Sequence, residues 1–139
     1  IQTGRPPTAA LFYTGPEGRI DGTDTILRSW GWTVHMVDPV NGPGNDLCDA
    51  ATLTPWADRI SANEFDVVGL SPDCASFSRL RRPRVRDGAT SEMLPDADLP
   101  ARVGNETGPE YARRQRALTH SVLVLLDRCF HSGTDYWLE

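Results

Sequence analysis

Apolar positions fall into four short runs along the chain, and each run is stopped by residues that favour turns. Residues 9–13 (Ala-Ala-Leu-Phe-Tyr) form a compact apolar run of the kind found in a buried strand. It gives way to Thr14, Gly15, Pro16, Glu17 and Gly18, a turn with two glycines three apart. A helix is predicted from about Thr23 to Trp30, with Gly31 as a left-handed stop. Thr33–Val37 then alternates as a second strand and is followed directly by Asp38. Thr54 as a cap with Pro55 in the first turn predicts a helix through about Ala62. Val67, Val68 and Leu70 make a third buried run, which ends at Pro72 because proline cannot continue a ladder. Pro109 and Glu110 open the longest helix, running to about Phe130 with one apolar stripe of Tyr111, Leu118, Val122, Leu125, Leu126 and Cys129. Residues 134–138 form a last strand with Glu139 at its carboxyl end. Strands alternating with helices predict a doubly wound α/β fold with a mostly parallel sheet.

Two stretches lack such order. Residues 1–7, with Gly4, Pro6 and Pro7, read as an unstructured lead-in. Residues 79–108 carry many charges, prolines and glycines with no sustained period, and a structureless stretch of that length is either functional or disordered. With 139 residues, 39% of them hydrophobic, the chain is large enough for one domain with its own core. It opens at Ile1 and ends straight after Tyr136, Trp137 and Leu138, which reads as a piece of something longer. No apolar run approaches the roughly 18 residues of a membrane span, and no signal-peptide pattern opens the chain. Cys48, Cys74 and Cys129 are odd in number and lack C-x-x-C spacing, so reduced thiols in an intracellular, reducing compartment are expected. His35, His120 and His131 show no metal-ligand spacing, and neither a metal nor a membrane partner is expected.

Charge changes the picture locally. The net charge of −5 argues against binding nucleic acid by bulk electrostatics. Yet every basic residue apart from histidine is arginine, and five arginines fall between Arg79 and Arg86, so a basic loop on an acidic body is possible on composition. Immediately before it stands Cys74, just past a strand's carboxyl end, where open α/β sheets place their chemistry. A thiol there, among small hydroxyl residues and near arginines, is a candidate nucleophile. Cys129, within the helical stripe, reads as core instead. Upstream, the succession of strand, glycine turn, helix, strand and terminal acid is the layout of a nucleoside half-site. Its glycines let backbone approach a ligand and its acid accepts from ribose hydroxyls, although the spacing is not G-x-G-x-x-G.

In this order the motifs resemble those of the DNA cytosine-5 methyltransferases. Residues 11–18 look like the family's D-L-F-x-G-x-G-G turn, and the resemblance implies that Phe12, Thr14, Gly15 and Gly18 hold the cofactor, S-adenosylmethionine. Asp38 falls where the family's acid binds ribose, and Asp46-Leu47 is similar to a G-D-I segment whose acid contacts adenine. Residues 66–78 match the nucleophile motif G-x-P-C-Q-x-F-S, with Cys74, Phe77 and Ser78 in register and Pro72 on the cofactor side. Glu139 would be the glutamate of the E-N-V motif. The chain departs from the family at Ala10, which replaces the opening acid, in the spread glycine turn, and at Asp73, which replaces proline before the cysteine. The later arginine motif and the target-recognition region have no counterpart among these residues.

The resemblance implies a Rossmann-like, class I methyltransferase fold, truncated, as one partial catalytic domain over residues 1–139 with 79–108 as the catalytic loop. Cys74 would add as thiolate to carbon 6 of a cytosine flipped from duplex DNA, and Glu139 would assist at ring nitrogen 3. Ser78, Arg79, Arg81 and Arg82 would hold DNA beside the flipped base. A carboxylate at Asp73 close to the thiol would disfavour the thiolate, with Arg79 or Arg81 offsetting it. Two other readings stay open: an inactive methyltransferase-like binding module, and a different small-molecule enzyme on the same scaffold. Oligomeric state, target sequence and host are not legible.

Overall fold

The computed structural model describes residues 4–72 and 108–139, apart from the side chains of residues 108, 109, 111 and 112. The chain divides into two compact units, Ile1–Pro72 with His120–Glu139, and Asp73–Thr119. Of the second unit only the start of one helix is described.

The first unit is built on a four-stranded parallel sheet: β1 (Thr8–Phe12), β2 (Thr33–Val37), β3 (Val67–Leu70) and β4 (Asp135–Leu138), in the order β2-β1-β3-β4. All four strands fall where the apolar runs predict them. Register pairs Ala9 with Val34 and Val67, and Leu70 with Leu138, so the four carboxyl ends lie along one edge. The order reverses at β1, which leads through helix α1 (Thr23–Ser29) to β2 on one side and has β3 on the other. That is a topological switch point, where α/β sheets open a crevice between strand ends.

The two faces of the sheet are covered differently. Ala9, Leu11 and Val34 form a buried cluster packed by Leu27 of α1, Trp32, Met36, Val67 and Trp137. On the opposite face Phe12 meets Trp56 of helix α2 (Ala50–Ser61) edge-to-face at 5.7 Å, and His35 packs against Trp56 and Phe65. Burial and then the Arg59 charge lower the pKa of His35 below its ordinary 6.5. Helix α3 (Gly108–Ser132) buries Leu118, Val122, Leu125 and Cys129 of the expected stripe. Leu126 is half-buried, and the side chain of Tyr111 lies outside the described residues. Burial pushes the Cys129 thiol up to about 11, so it behaves as core. His120 and His131 are exposed.

Two expectations need correction. Helix α2 starts at Ala50 and not at Thr54, because Asp49 caps it by accepting from the Ala51 amide at 3.0 Å. Pro55 therefore lies inside the helix, where it forgoes one backbone bond while Leu53, Ala57 and Ile60 stay buried. The lead-in is also tied down over its described part. Arg5 donates both terminal nitrogens to Asp66, whose Oδ2 also accepts from the Thr8 amide at 2.7 Å. The Gly31 stop is as expected, with φ +86 and bonds from Gly31 and Trp32 amides back to Arg28 and Leu27.

Gly69 is fixed by a close approach. A Cβ there would lie 2.2 Å from the indole of Trp137, its register partner on β4. Gly69→Ala should therefore destabilise the protein by about 1–3 kcal/mol, the cost of overpacking. Urea unfolding would show this as a lowered midpoint, largely restored in Gly69→Ala with Trp137→Leu; a midpoint unchanged in the single variant would contradict the packing.

Candidate functional site

The carboxyl edge of the sheet gathers the predicted site residues that the structure describes. Tyr13 follows β1 with φ +60, a left-handed conformation unusual for a bulky residue. Its amide still donates to Val37 of β2 at 3.0 Å, so the chain leaves the ladder one residue later, at Thr14. Gly15 and Gly18 then adopt φ of +89 and +81, and nothing lies within 4 Å of where a Cβ would stand on either. The turn is open on that side, as a backbone cradle requires.

Asp38 holds this turn from β2. Its Oδ2 accepts from the Gly15 amide at 3.0 Å, and its Oδ1 accepts from Val40 at 2.9 Å, capping a 3-10 turn at Pro39–Asn41. Asn41 closes the arrangement: its amide group donates to the Gly15 carbonyl at 3.1 Å, and its oxygen accepts from the Glu17 amide at 2.8 Å. An ionised carboxylate has about four acceptor positions. Two are used by backbone, which leaves room for the paired hydroxyls of a ribose. Acceptors so placed suit a nucleoside ligand in general.

Other predicted residues sit around this centre. Phe12 is fully buried against Trp56, so its side chain belongs to the core and only its backbone faces the edge. Thr14 is half-buried with its hydroxyl toward the Met36 sulfur at 3.7 Å. Asp46 is exposed and accepts from the Cys48 amide at 3.0 Å, in a turn pinned by the buried Leu47. Tyr13 links that turn to α3. Its hydroxyl shares a 2.8 Å hydrogen bond with Ser121, and burial, with Cys48 and Asp46 nearby, pushes the phenol well above its ordinary 10.

On the far side of the switch point, Ser71 follows β3 and donates its hydroxyl to Glu139 Oε2 at 3.0 Å. The Glu139 amide bonds back to Leu70 at 2.9 Å, so this carboxylate is held at the end of β4. Pro72, half-buried, is the last described residue before Cys74. Cys74, Ser78, Arg79, Arg81 and Arg82 lie outside the described residues. Among the described residues no cluster of His, Cys, Asp or Glu could hold a metal, and no helix is long and apolar enough to cross a membrane.

Compared with protein-family models, curated proteins and solved structures, the chain finds no match. Four of the site's residues carry little sequence signal. Tyr13 falls at the end of a strand run, and Asn41 lies in no motif. Ser71 stood unnoticed beside the proline, and Asp24 within a short helix. Only Asp24, an acid in a helix's first turn, left a readable trace.

Tyr13 makes a pH prediction. Its folded pKa is raised, so the neutral phenol stabilises the fold fully below the unfolded value of 10, and that contribution is lost as pH rises above it. Melting temperatures between about pH 9 and 11 should fall more steeply in wild type than in Tyr13→Phe. Parallel curves would contradict a half-buried phenol bonded to Ser121.

Proposed function

We propose that this chain carries the cofactor-binding and nucleophile-bearing part of a DNA cytosine-5 methyltransferase that uses S-adenosylmethionine. One observation carries the reading. The edge that bears the Gly15–Asp38 half-site on one side of the switch point bears the Ser71–Glu139 pair on the other, three residues before Cys74. A nucleoside cofactor and a second planar substrate would then meet over β1 and β3, as a two-substrate transfer requires.

Gly15, Gly18, Asp38 and Asp46 would hold the cofactor's nucleoside and amino-acid ends. The chemistry that the cofactor supplies when bound is an electrophilic methyl group. Cytosine carbon 5 is a poor nucleophile, and the chain's own residues must make it a better one. The Cys74 thiolate adds to carbon 6, and the displaced π electrons build density at carbon 5 and along the ring toward nitrogen 3. Glu139, exposed at the end of β4, would hydrogen-bond or protonate nitrogen 3 and spread that charge. The base must leave the duplex to reach these groups, and Ser78 with Arg79, Arg81 and Arg82 would hold the phosphates beside the gap.

A duplex carrying 5-fluorocytosine traps such a covalent adduct, because the fluorine cannot leave as a cation. Wild type should form a cofactor-dependent adduct that survives denaturing electrophoresis. Cys74→Ala should form none, and Glu139→Gln should form it about 100-fold more slowly. An adduct in Cys74→Ala would overturn the nucleophile assignment, and none in cofactor-loaded wild type would overturn the reaction.

A further inference from the structure

Asp24 is the only buried charged side chain among the described residues, 1% exposed in a helix of seven residues. Its Oδ2 accepts from the Gly18 amide at 2.9 Å and from Arg28 Nη1 at 3.1 Å. Arg28 extends the connection, donating Nη2 to Glu17 and to the Val34 carbonyl of β2 at 3.0 Å. Asp24 Oδ1 has no hydrogen-bond partner. It lies 2.5 Å from the place of a Cβ on Gly22. Gly22 has φ −73 and ψ 144, a backbone that any residue adopts. The closest obstacle to a side chain there is the carboxylate packed on it, with the Arg19 carbonyl oxygen next at 3.1 Å.

A buried carboxylate with one oxygen unpartnered is costly, and an apolar side chain in its place is often neutral or stabilising. What the ion provides is shape. The turn is held at both ends, Gly15 by Asp38 and Gly18 by Asp24, with Glu17 between them gripped by Arg28 and Asn41. We infer that Asp24 and Arg28 form a latch that keeps residues 15–18 in the conformation that accepts the cofactor. Asp24 is thus a positioning residue, acting through Gly18 without touching ligand. The inference rests on the reading of this half-site as the S-adenosylmethionine site. Arginine is needed because its fork serves Asp24, Glu17 and Val34 together, which a lysine ammonium does not.

Amide exchange by NMR and calorimetry with S-adenosylhomocysteine, both on the full chain, test it. Asp24→Ala removes the latch. Gly22→Ala, unstrained in backbone, pushes the carboxylate aside and provides a second route if the first variant folds poorly. Both should speed exchange of the Gly18 amide about tenfold, leave Leu11 and Val68 protected, and weaken S-adenosylhomocysteine about tenfold. Asp24→Asn keeps an oxygen for the Gly18 amide and should recover most of both. Unchanged Gly18 exchange in both alanine variants overturns the latch, and faster exchange with undiminished affinity overturns its positioning role. Wild type that binds no S-adenosylhomocysteine counts against the cofactor reading itself, whereas Gly18 exchange judges the latch without any ligand.

Discussion

Parallel pairing of β1 with both β2 and β3 is the constraint on which the site depends. It aligns four carboxyl ends on one edge and forces the connections on either side of β1 to run in opposite directions. Because each strand pairs in register, Asp38 is brought to the glycine turn that follows β1, and Glu139 to Ser71 after β3. Residues 23 and 68 positions apart in sequence thereby become hydrogen-bonded neighbours. The ladder supplies backbone bonds only, so its register is set by side chains: Gly69 must be small for the indole of Trp137 to lie across it.

Upon this frame the edge is fastened by polar contacts whose partners come from different elements. Asp38, Asn41, Asp24 and Arg28 each bind a backbone group of another segment, and together they restrain a turn containing two left-handed glycines. Left alone, such a turn would sample many conformations, because glycine loses the most freedom on folding. Most of these bonds are charge-assisted, and each is individually worth more than a neutral one. Pre-organisation of this kind would lower the ordering cost of binding for any ligand that the turn receives.

Much of this fold was legible in the chain's apolar pattern. Fully buried strands of a parallel sheet are short continuous apolar runs, and Val67, Val68 and Leu70 ended at Pro72 as such runs do. Gly31 and the long stripe of α3 were equally plain. The start of α2 was misread because Thr54-Pro55 has the form of a helix start, while the cap that wins, Asp49, lies five residues upstream among other acids. At the site, Asp38 and the glycines were readable because strand ends and turns mark their places. Tyr13, Asn41 and Ser71 were not, since a hydrogen bond across the sheet depends on register and side-chain reach, which local spacing does not encode. Phe12, which the motif match assigns to the cofactor turn, has its ring in the core against Trp56 and only its backbone at the edge.

As proposed, the β1–β2 edge is a nucleoside site for S-adenosylmethionine with Asp38 on the ribose. Calorimetry of the full chain with S-adenosylhomocysteine and with NAD, in wild type and Asp38→Ala, tests it most directly. Wild type should bind S-adenosylhomocysteine, Asp38→Ala should lose at least about tenfold in affinity, and NAD should give no measurable heat. Tight NAD binding without S-adenosylhomocysteine binding would contradict it.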